Sequence, residues 1–488
     1  MTAKRDEPRT RFARGMGRRH GRQSSEVRRR HSWPMVAMAA AALVVAACSS
    51  AGGSSSGGSP TGSSTTGSAG FTQSGPKAPG SDIGITPTQI RVAMIADVNT
   101  SFQPGLFQTS VNAVKAWADI VNAHGGLAGR KVVVDFCDSQ DNPNATYNCV
   151  LRACAHDFAM VGTDAISMVN YAPIDGCKNA QGEPVGIANL AGFAFAPGNC
   201  DPDTFLTTPP IGEPSYCATQ HDNPQTYTGN VADYRYYASH FKGLHGILLY
   251  LGDVPGQAGG ILPEWKTALA MGIKEDGQGV YTVQGAAPQS AYIPYTQVIK
   301  QHGSTLAYVS GTVANMVLMR REAELQGVNT VKVWAGTSAI YDESLIKEGG
   351  AAVNGTYALL YNLPFLSEYQ DNSALSALVK QVGGIANFND NALGAYIEAL
   401  LFQDAVNKAV ANGGTLNRKT LFAALRDEHS FDADGIIGPL NVANHQWPSC
   451  VVIVQVQNGQ WKRVYPSAPG SFTCGSQNLA TVKMNIAQ

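Results

Sequence analysis

The chain has 488 residues, 44% hydrophobic and 15% charged, which is enough for two or three globular domains. Its near-neutral total conceals a split. Residues 1–33 hold eleven of the 35 basic residues and three of the 36 acidic ones, so the remainder carries a net charge of −9. A body this acidic excludes nucleic acid as a partner, because phosphate contacts need a basic face.

The basic head leads into Met35 to Ala47, thirteen apolar residues rich in alanine. That run is too short to span a bilayer but has the length of a signal-peptide core. Val45-Ala46-Ala47-Cys48 follows and resembles the lipobox of bacterial lipoproteins, which implies a lipid on Cys48 and a protein anchored to the membrane by it. Arg28-Arg29-Arg30 hints at twin-arginine export, although Ser32 stands where that signal prefers an apolar residue, and Sec export is the default. From Ser49 to Ser81 the chain is almost entirely Gly, Ser, Thr, Ala and Pro, a composition that cannot bury a core. It reads as a flexible tether with a reach of roughly 30 Å.

Ile90 to Ala96 then reads as a buried strand. Val111, Val114, Ala118 and Val121 recur at helical spacing, Gly125-Gly126 ends that helix, and Lys131 to Phe136 is a second buried strand. The result is a right-handed βαβ unit whose loop Asp97 to Gln108 lies at the carboxyl edge of a parallel sheet, where open α/β folds bind ligands. The stretch Asn122 to Val134 (NAHGGLAGRKVVV) resembles the N-x-x-G-G-h-x-G-R-x-h signature of type I periplasmic binding proteins, in the branched-chain amino acid (Leu/Ile/Val-binding) branch that serves ABC importers. The resemblance runs from about Thr86 to about Val464.

The alternation continues. Helix Ala145 to His156, strand Phe158 to Gly162, a helix near Met168 to Asp175 and strand Pro184 to Ala188 extend the first sheet. Phe195 to Thr228, with six prolines and two cysteines, reads as an insertion near the first crossing between lobes. The second sheet is expected from helix Val231 to Phe241, strand Gly246 to Leu251, helix Leu262 to Ile273, strand Gly279 to Val283, helix Tyr295 to His302, strand Leu306 to Ser310, helix Ala314 to Gln326 and strand Val331 to Ala335. Gly355 to Tyr361 leads back, helices Ser373 to Val382, Asn391 to Asn412 and Lys419 to Arg426 complete the first lobe, and Phe431 to Leu440 crosses again. Val451 to Val456 and Gln460 to Val464 form a hairpin on Asn458-Gly459. The fold class is therefore α/β: two Rossmann-like lobes with parallel sheets joined by three crossing segments, as the resemblance implies. Residues 1–47 are assigned to a signal peptide, 48–85 to the anchored linker, 86–207 and 361–431 to lobe 1, 208–360 and 432–470 to lobe 2, and 471–488 to a tail.

The sequence shows no catalytic signature: no Gly-x-Ser-x-Gly elbow, His-Glu-x-x-His, phosphate-binding Gly-x-x-x-x-Gly-Lys or post-strand Gly-x-Gly-x-x-Gly. No cofactor and no metal are expected. The informative residues are in loops after strands. In the first lobe these are Asn99 to Gln103, with Asn99, Phe102 and Gln103 as candidates, Gly162 to Ser167, with Asp164, Ala165 and Ser167, and Asn189 to Phe193, with Ala191 and Phe193. The resemblance implies that the second loop holds a ligand carboxylate at a helix N-terminus. Here Asp164 places a negative charge there, or simply caps the following helix. In lobe 2, Ser338 stands where the family carries the glutamate that pairs with an amino-acid ammonium, which turns the expectation away from an aliphatic amino acid held in the usual way. Tyr292 and Tyr341 are expected to add aromatic walls.

Eight further cysteines in an exported chain read as disulfides, with connectivity left open by sequence alone. The expected pairs are Cys137 with Cys149, a pairing the resemblance implies, Cys154 with Cys177, Cys200 with Cys217, and Cys450 with Cys474. A metal site from Cys149, Cys154 and His156 is the rival reading, disfavoured in an oxidising compartment. The expected protein is a monomeric, lipid-anchored solute receptor that presents a small molecule to the transmembrane subunits of an ABC permease. A ligand sensor on the same fold, or an exported enzyme, are the alternatives. An aliphatic amino acid, an amide, a urea-like solute and an uncharged aromatic compound all remain open as ligands, and Ser338 weighs against the first.

Overall fold

A computed structural model describes residues 77–101, 103–168, 170–194, 200–209, 225–254 and 256–485. The signal-peptide and lipobox readings, Cys48 included, lie outside the described residues, as do Phe102 and Cys217. Within the description the last part of the expected linker is docked. Ser81 N–H donates to Leu416 O, and the Asp82 carboxylate accepts from the Ala180 and Arg418 N–H groups.

Lobe 1 begins with β1 (Gln89–Ala96), α1 (Gln108–Ala123), β2 (Lys131–Asp138), α2 (Pro143–His156), β3 (Ala159–Asp164), α3 (Ala172–Asp175), β4 (Asn189–Phe193) and β5 (Thr204–Phe205). The strands form one parallel sheet in the order β2-β1-β3-β4-β5. Ile90, Val92, Met94, Ile95 and Ala96 are fully buried, as a strand covered on both faces requires. Gly126, at φ +88°, ends α1 by donating its N–H to Val121 O. A Cβ there would meet Arg130 O at 2.1 Å, so only glycine fits this turn.

Lobe 2 continues with β6 (Gln225–Asn230), α4 (Ala232–His240), β7 (His245–Leu251), α5 (Gln257–Ala270), β8 (Lys274–Val283), α6 (Ile293–His302), β9 (Leu306–Ser310), α7 (Val313–Leu325), β10 (Val333–Gly336), α8 (Glu343–Gly349) and β11 (Thr356–Leu360). The chain then returns to lobe 1 through α9 (Phe365–Glu368), α10 (Ser373–Gln381), α11 (Asp390–Val410) and α12 (Arg418–Arg426), and ends in β12 (Val452–Gln457), β13 (Gln460–Tyr465) and β14 (Leu479–Met484). The second sheet runs β13-β12-β11-β10-β9-β7-β8, parallel from β8 to β11 and antiparallel at β12 and β13. α11 packs on the first sheet beside α1, where Trp117 donates to Gln403 Oε1 at 3.0 Å and meets Phe402 edge-on. The two described crossings pair with each other: Leu363 N–H donates to Ile436 O at 2.8 Å, beside the Asn362–Ile437 bridge.

Four expectations change. Pro184 to Ala188 is not the strand. Val185 and Gly186, the latter at φ +80°, both donate to Cys177 O in a turn, so the strand starts at Asn189 and the expected cleft loop Asn189 to Phe193 is β4 itself. The helix near Met168 shrinks to Ala172–Asp175, because Pro173 has no N–H to donate and is accommodated only in a first turn. α5 begins at Gln257, ahead of the expected Leu262, through a Gly-rich turn that reads as loop. Residues 479–484, expected as tail, pair antiparallel with 225–230 as a separate two-stranded sheet.

Disulfides join Cys137 to Cys149, Cys154 to Cys177 and Cys450 to Cys474. The metal reading of Cys149, Cys154 and His156 is thereby removed, and no group of His, Cys, Asp or Glu among the described residues could hold a metal ion. No helix among them is long and apolar enough to cross a membrane.

Candidate functional site

The carboxyl ends of the parallel strands in both lobes converge on a cavity of about 650 Å³. Leu106, Phe107, Phe193 and Ile397 form its apolar wall on lobe 1, and Leu251, Val254, Ile261 and Leu318 the opposing wall on lobe 2. Thr207, Asn362 and Trp447, from the crossing segments or next to them, also line it, as does Thr208. Phe193 leans on Phe107 with ring centroids 6.0 Å apart, so the end of β4 and the start of α1 present one aromatic surface.

Asp97 holds the lobe 1 edge of this cavity. It is fully buried just beyond β1, and its carboxylate accepts from Ser139 Oγ at 2.5 Å, Asp141 N–H at 2.7 Å and Ile166 N–H at 2.7 Å. One side chain thus ties together the loops that follow β1, β2 and β3. Burial pushes its carboxyl above the ordinary range, against these three donors.

Asp164 ends β3 at 2% exposure and lines the cavity, and no donor other than the nearby Ser110 hydroxyl reaches Oδ2. Burial pushes its carboxyl up to about 8 although that hydroxyl lowers it, with the charges of Asp97 and Asp390 adding to the rise. Asp390 opens α11. Its Oδ2 accepts from Ser338 Oγ at 2.8 Å and its Oδ1 from Asn362 Nδ2 at 3.2 Å, a link from lobe 1 to lobe 2 and to the crossing strand. Desolvation raises Asp390 despite those two donors. Deeper in α11, Glu398 takes the Thr207 N–H and hydroxyl, both at 2.7 Å, on one oxygen, and burial lifts it to about 8. On the lobe 2 wall Glu264 accepts from Tyr308 Oη at 3.2 Å, and burial lifts it to about 7.

Of the residues singled out from sequence, Gln103, Asp164, Phe193 and Ser338 line the cavity. The other described candidates are placed elsewhere. Asn99 turns back to Asp138 Oδ2, and Ser167 donates to Asp141 Oδ1 at 2.6 Å, each bracing a loop. Ala165 packs in a small cluster with Cys149 and Ile174, and Ala191 is buried within β4. Tyr292 is fully buried and accepts from Asn315 Nδ2 at 2.9 Å, while Tyr341 is wedged between Phe365 and Trp461 in the core. These two tyrosines correct the expectation of aromatic walls at those positions: their rings fill the space between helix and sheet, where burial returns most free energy.

Gln257, Asn362 and Asp390 were missed. Gln257 lay in an apparent loop, Asn362 in a crossing strand, and Asp390 resembles any acidic residue in a first helical turn. No local signal marks them.

The raised carboxyls set a pH dependence. Asp164, Glu398 and the buried Asp233 sit near 8 when folded and Glu264 near 7, all far above the unfolded value of about 4. Between pH 4 and 8 the folded state therefore binds more protons than the unfolded state, and stability falls as pH rises through that window. The ligand-free protein is expected to melt several degrees lower at pH 8 than at pH 5. A melting temperature that stays level or climbs in a calorimetric series would show these acids to be ionised at no cost.

Residues 89–460 match the family model described as periplasmic binding protein. A search of curated proteins gave no match. Similar solved structures include the fatty acid ABC transporter substrate-binding protein from Thermomonospora curvata, 17% identical, with TM-score 0.61 over 81% of this chain and 98% of that one. A branched chain amino acid ABC transporter from Thermus thermophilus with bound valine is 13% identical, with TM-score 0.62 over 80% and 97%. A leucine binding protein from Thermotoga maritima is 14% identical, with TM-score 0.56 over 77% and 97%. At these identities the likeness is one of fold.

Proposed function

The chain belongs to the periplasmic binding protein family, and from that premise we propose that it captures a small, mainly apolar solute between its lobes and presents the closed form to an ABC permease. The observation that carries this reading is the cavity itself. It is walled by both lobes, has the size of a small-molecule site, and is bridged at one end by the Ser338–Asp390 hydrogen bond. A ligand that touches both walls favours the closed arrangement by its difference in affinity for closed and open forms. No covalent step is part of the proposal. The protein acts outside the cytoplasm, tethered through a lipid on Cys48, as the Val45-Ala46-Ala47-Cys48 run and the Gly/Ser tract support.

Two measurements test the reading. Saturating solute should reduce the radius of gyration in X-ray scattering, and only the solute-loaded protein should stimulate ATP hydrolysis by its permease in proteoliposomes. Stimulation by the empty protein alone, or binding without compaction, would count against delivery. Palmitate labelling that persists in Cys48→Ala would remove the anchor.

A further inference from the structure

The ionisable groups of the cavity lining are of one sign only. Among the described residues it contains the carboxylates of Asp164, Glu264, Asp342, Glu348 and Asp390 and no Lys, Arg or His. The residues between 77 and 485 outside the description add no Lys or Arg, because neither occurs between Lys178 and Arg235 and positions 102, 169 and 255 are Phe, Val and Pro; His221 is their single histidine. A ligand carboxylate bound here would be desolvated with no cation to pair it, which is strongly unfavourable.

Unsatisfied atoms in the same place have the opposite preference. Asn362 Oδ1 and Gln257 Oε1 are buried, belong to residues that line the cavity, and have no donor, and Asp164 Oδ2 has none besides the nearby Ser110 hydroxyl. The two amides cannot rotate to relieve this. Asn362 Nδ2 already donates to Asp390 Oδ1 at 3.2 Å, and Gln257 Nε2 to Ser310 O at 3.1 Å. Under-satisfied acceptors on residues that line the chamber are met best by a ligand rich in donors, and an ammonium supplies three donors and no acceptor. A hydroxyl supplies one donor and leaves the acids uncompensated.

We propose that the captured solute is an organic cation, a primary amine on an apolar body and without a carboxylate, whose ammonium sits against Asp164, Asn362 and Asp390. The inference rests on the solute-capture reading and specifies its ligand. The titratable groups nearest Asp164 are Asp97 beyond β1 and Asp390 and Glu398 on α11, all acidic, so an incoming cation meets no like charge there. In the empty site Asp164 holds its proton up to about pH 8, and a bound ammonium displaces that proton to solvent. Affinity therefore rises with pH until Asp164 is ionised, and falls only when the amine itself deprotonates near pH 10.

The test is titration calorimetry of the purified protein with n-hexylamine, phenethylamine, hexanoate, phenylacetate, leucine, phenylalanine and hexanol. The amines are expected to bind at least about tenfold more tightly than the other probes. Their affinity should rise up to about tenfold per pH unit from about pH 6 to 8 and then level. Asp164→Asn should weaken the amines about ten- to a hundredfold, as loss of a charge-assisted hydrogen bond does, and flatten the pH profile. Asn362→Leu, which removes a neighbouring acceptor and adds no charge, should also weaken them. Tighter binding of hexanoate, leucine or hexanol overturns the amine assignment and leaves solute capture standing. Unchanged amine affinity in both variants overturns the assigned residues. No binding of any probe, with no compaction, overturns both readings.

Discussion

Asp97→Ala is expected to lower the unfolding free energy by about 3–5 kcal/mol and to abolish solute binding under conditions where the variant still folds. The carboxylate is the only hydrogen-bond partner the structure gives to the buried Ser139 hydroxyl and to the Asp141 and Ile166 N–H groups. Each donor left unsatisfied in a buried setting costs about 1–3 kcal/mol, and relief of the carboxylate's own desolvation offsets part of the sum. Asp97→Asn is a sharper probe. An amide keeps the shape but turns one acceptor into a donor, which then opposes either the Ile166 N–H or the Ser139–Asp141 pair. That variant should retain more stability than alanine and still lose solute affinity, because Ile166 fixes the loop carrying Asp164. Urea unfolding with unchanged m-value measures the first effect and solute titration the second. A loss below about 1 kcal/mol for the alanine variant would show the three loops to be held by other contacts.

Arg463→Ala is expected to cost a similar amount, about 3–5 kcal/mol, through a different mechanism. Arg463 on β13 and Glu368 at the end of α9 form a two-pronged ion pair with both bonds at 2.6 Å and side chains 6% and 8% exposed. Arg463 also donates to Ser471 O, and Glu368 accepts the Gly470 N–H. Removing the arginine leaves a buried carboxylate with one backbone donor, and breaking one side of such a pair is far more costly than the pair is worth intact. Replacing both partners, Arg463→Met with Glu368→Leu, should recover most of the loss. A double variant as unstable as the single one would refute this account and place the cost in packing. The pair lies just past the crossing segment 361–364, so it anchors that segment to the edge of the second sheet. Solute affinity in the single variant is expected to fall along with stability.

What local sequence determined was the order of the units. The helical spacing of Val111, Val114, Ala118 and Val121, the Gly125-Gly126 stop, the buried run Lys131 to Phe136 and the Asn458-Gly459 hairpin each concern residues a few positions apart, and the structure shows α1, β2, β12 and β13 in those places. The carboxyl edge of the sheet as the binding edge follows from the same order, since parallel strands leave their following loops on one side. Facing was not determined. Asn99, Ser167, Tyr292 and Tyr341 stand in or beside the expected loops, yet each turns to a partner that local spacing does not encode: Asp138, Asp141, Asn315 and Trp461. Residues that meet across the cleft are equally invisible, because Asp164, Gln257, Asn362 and Asp390 are brought together only when the second lobe closes over the first and the chain returns through the crossing strand. The pairing of 225–230 with 479–484 has the same cause. Periodicity records the relation of a residue to its neighbours within two or three turns. Register between sheets, and the charge that a cleft collects from four distant segments, are settled by tertiary packing alone.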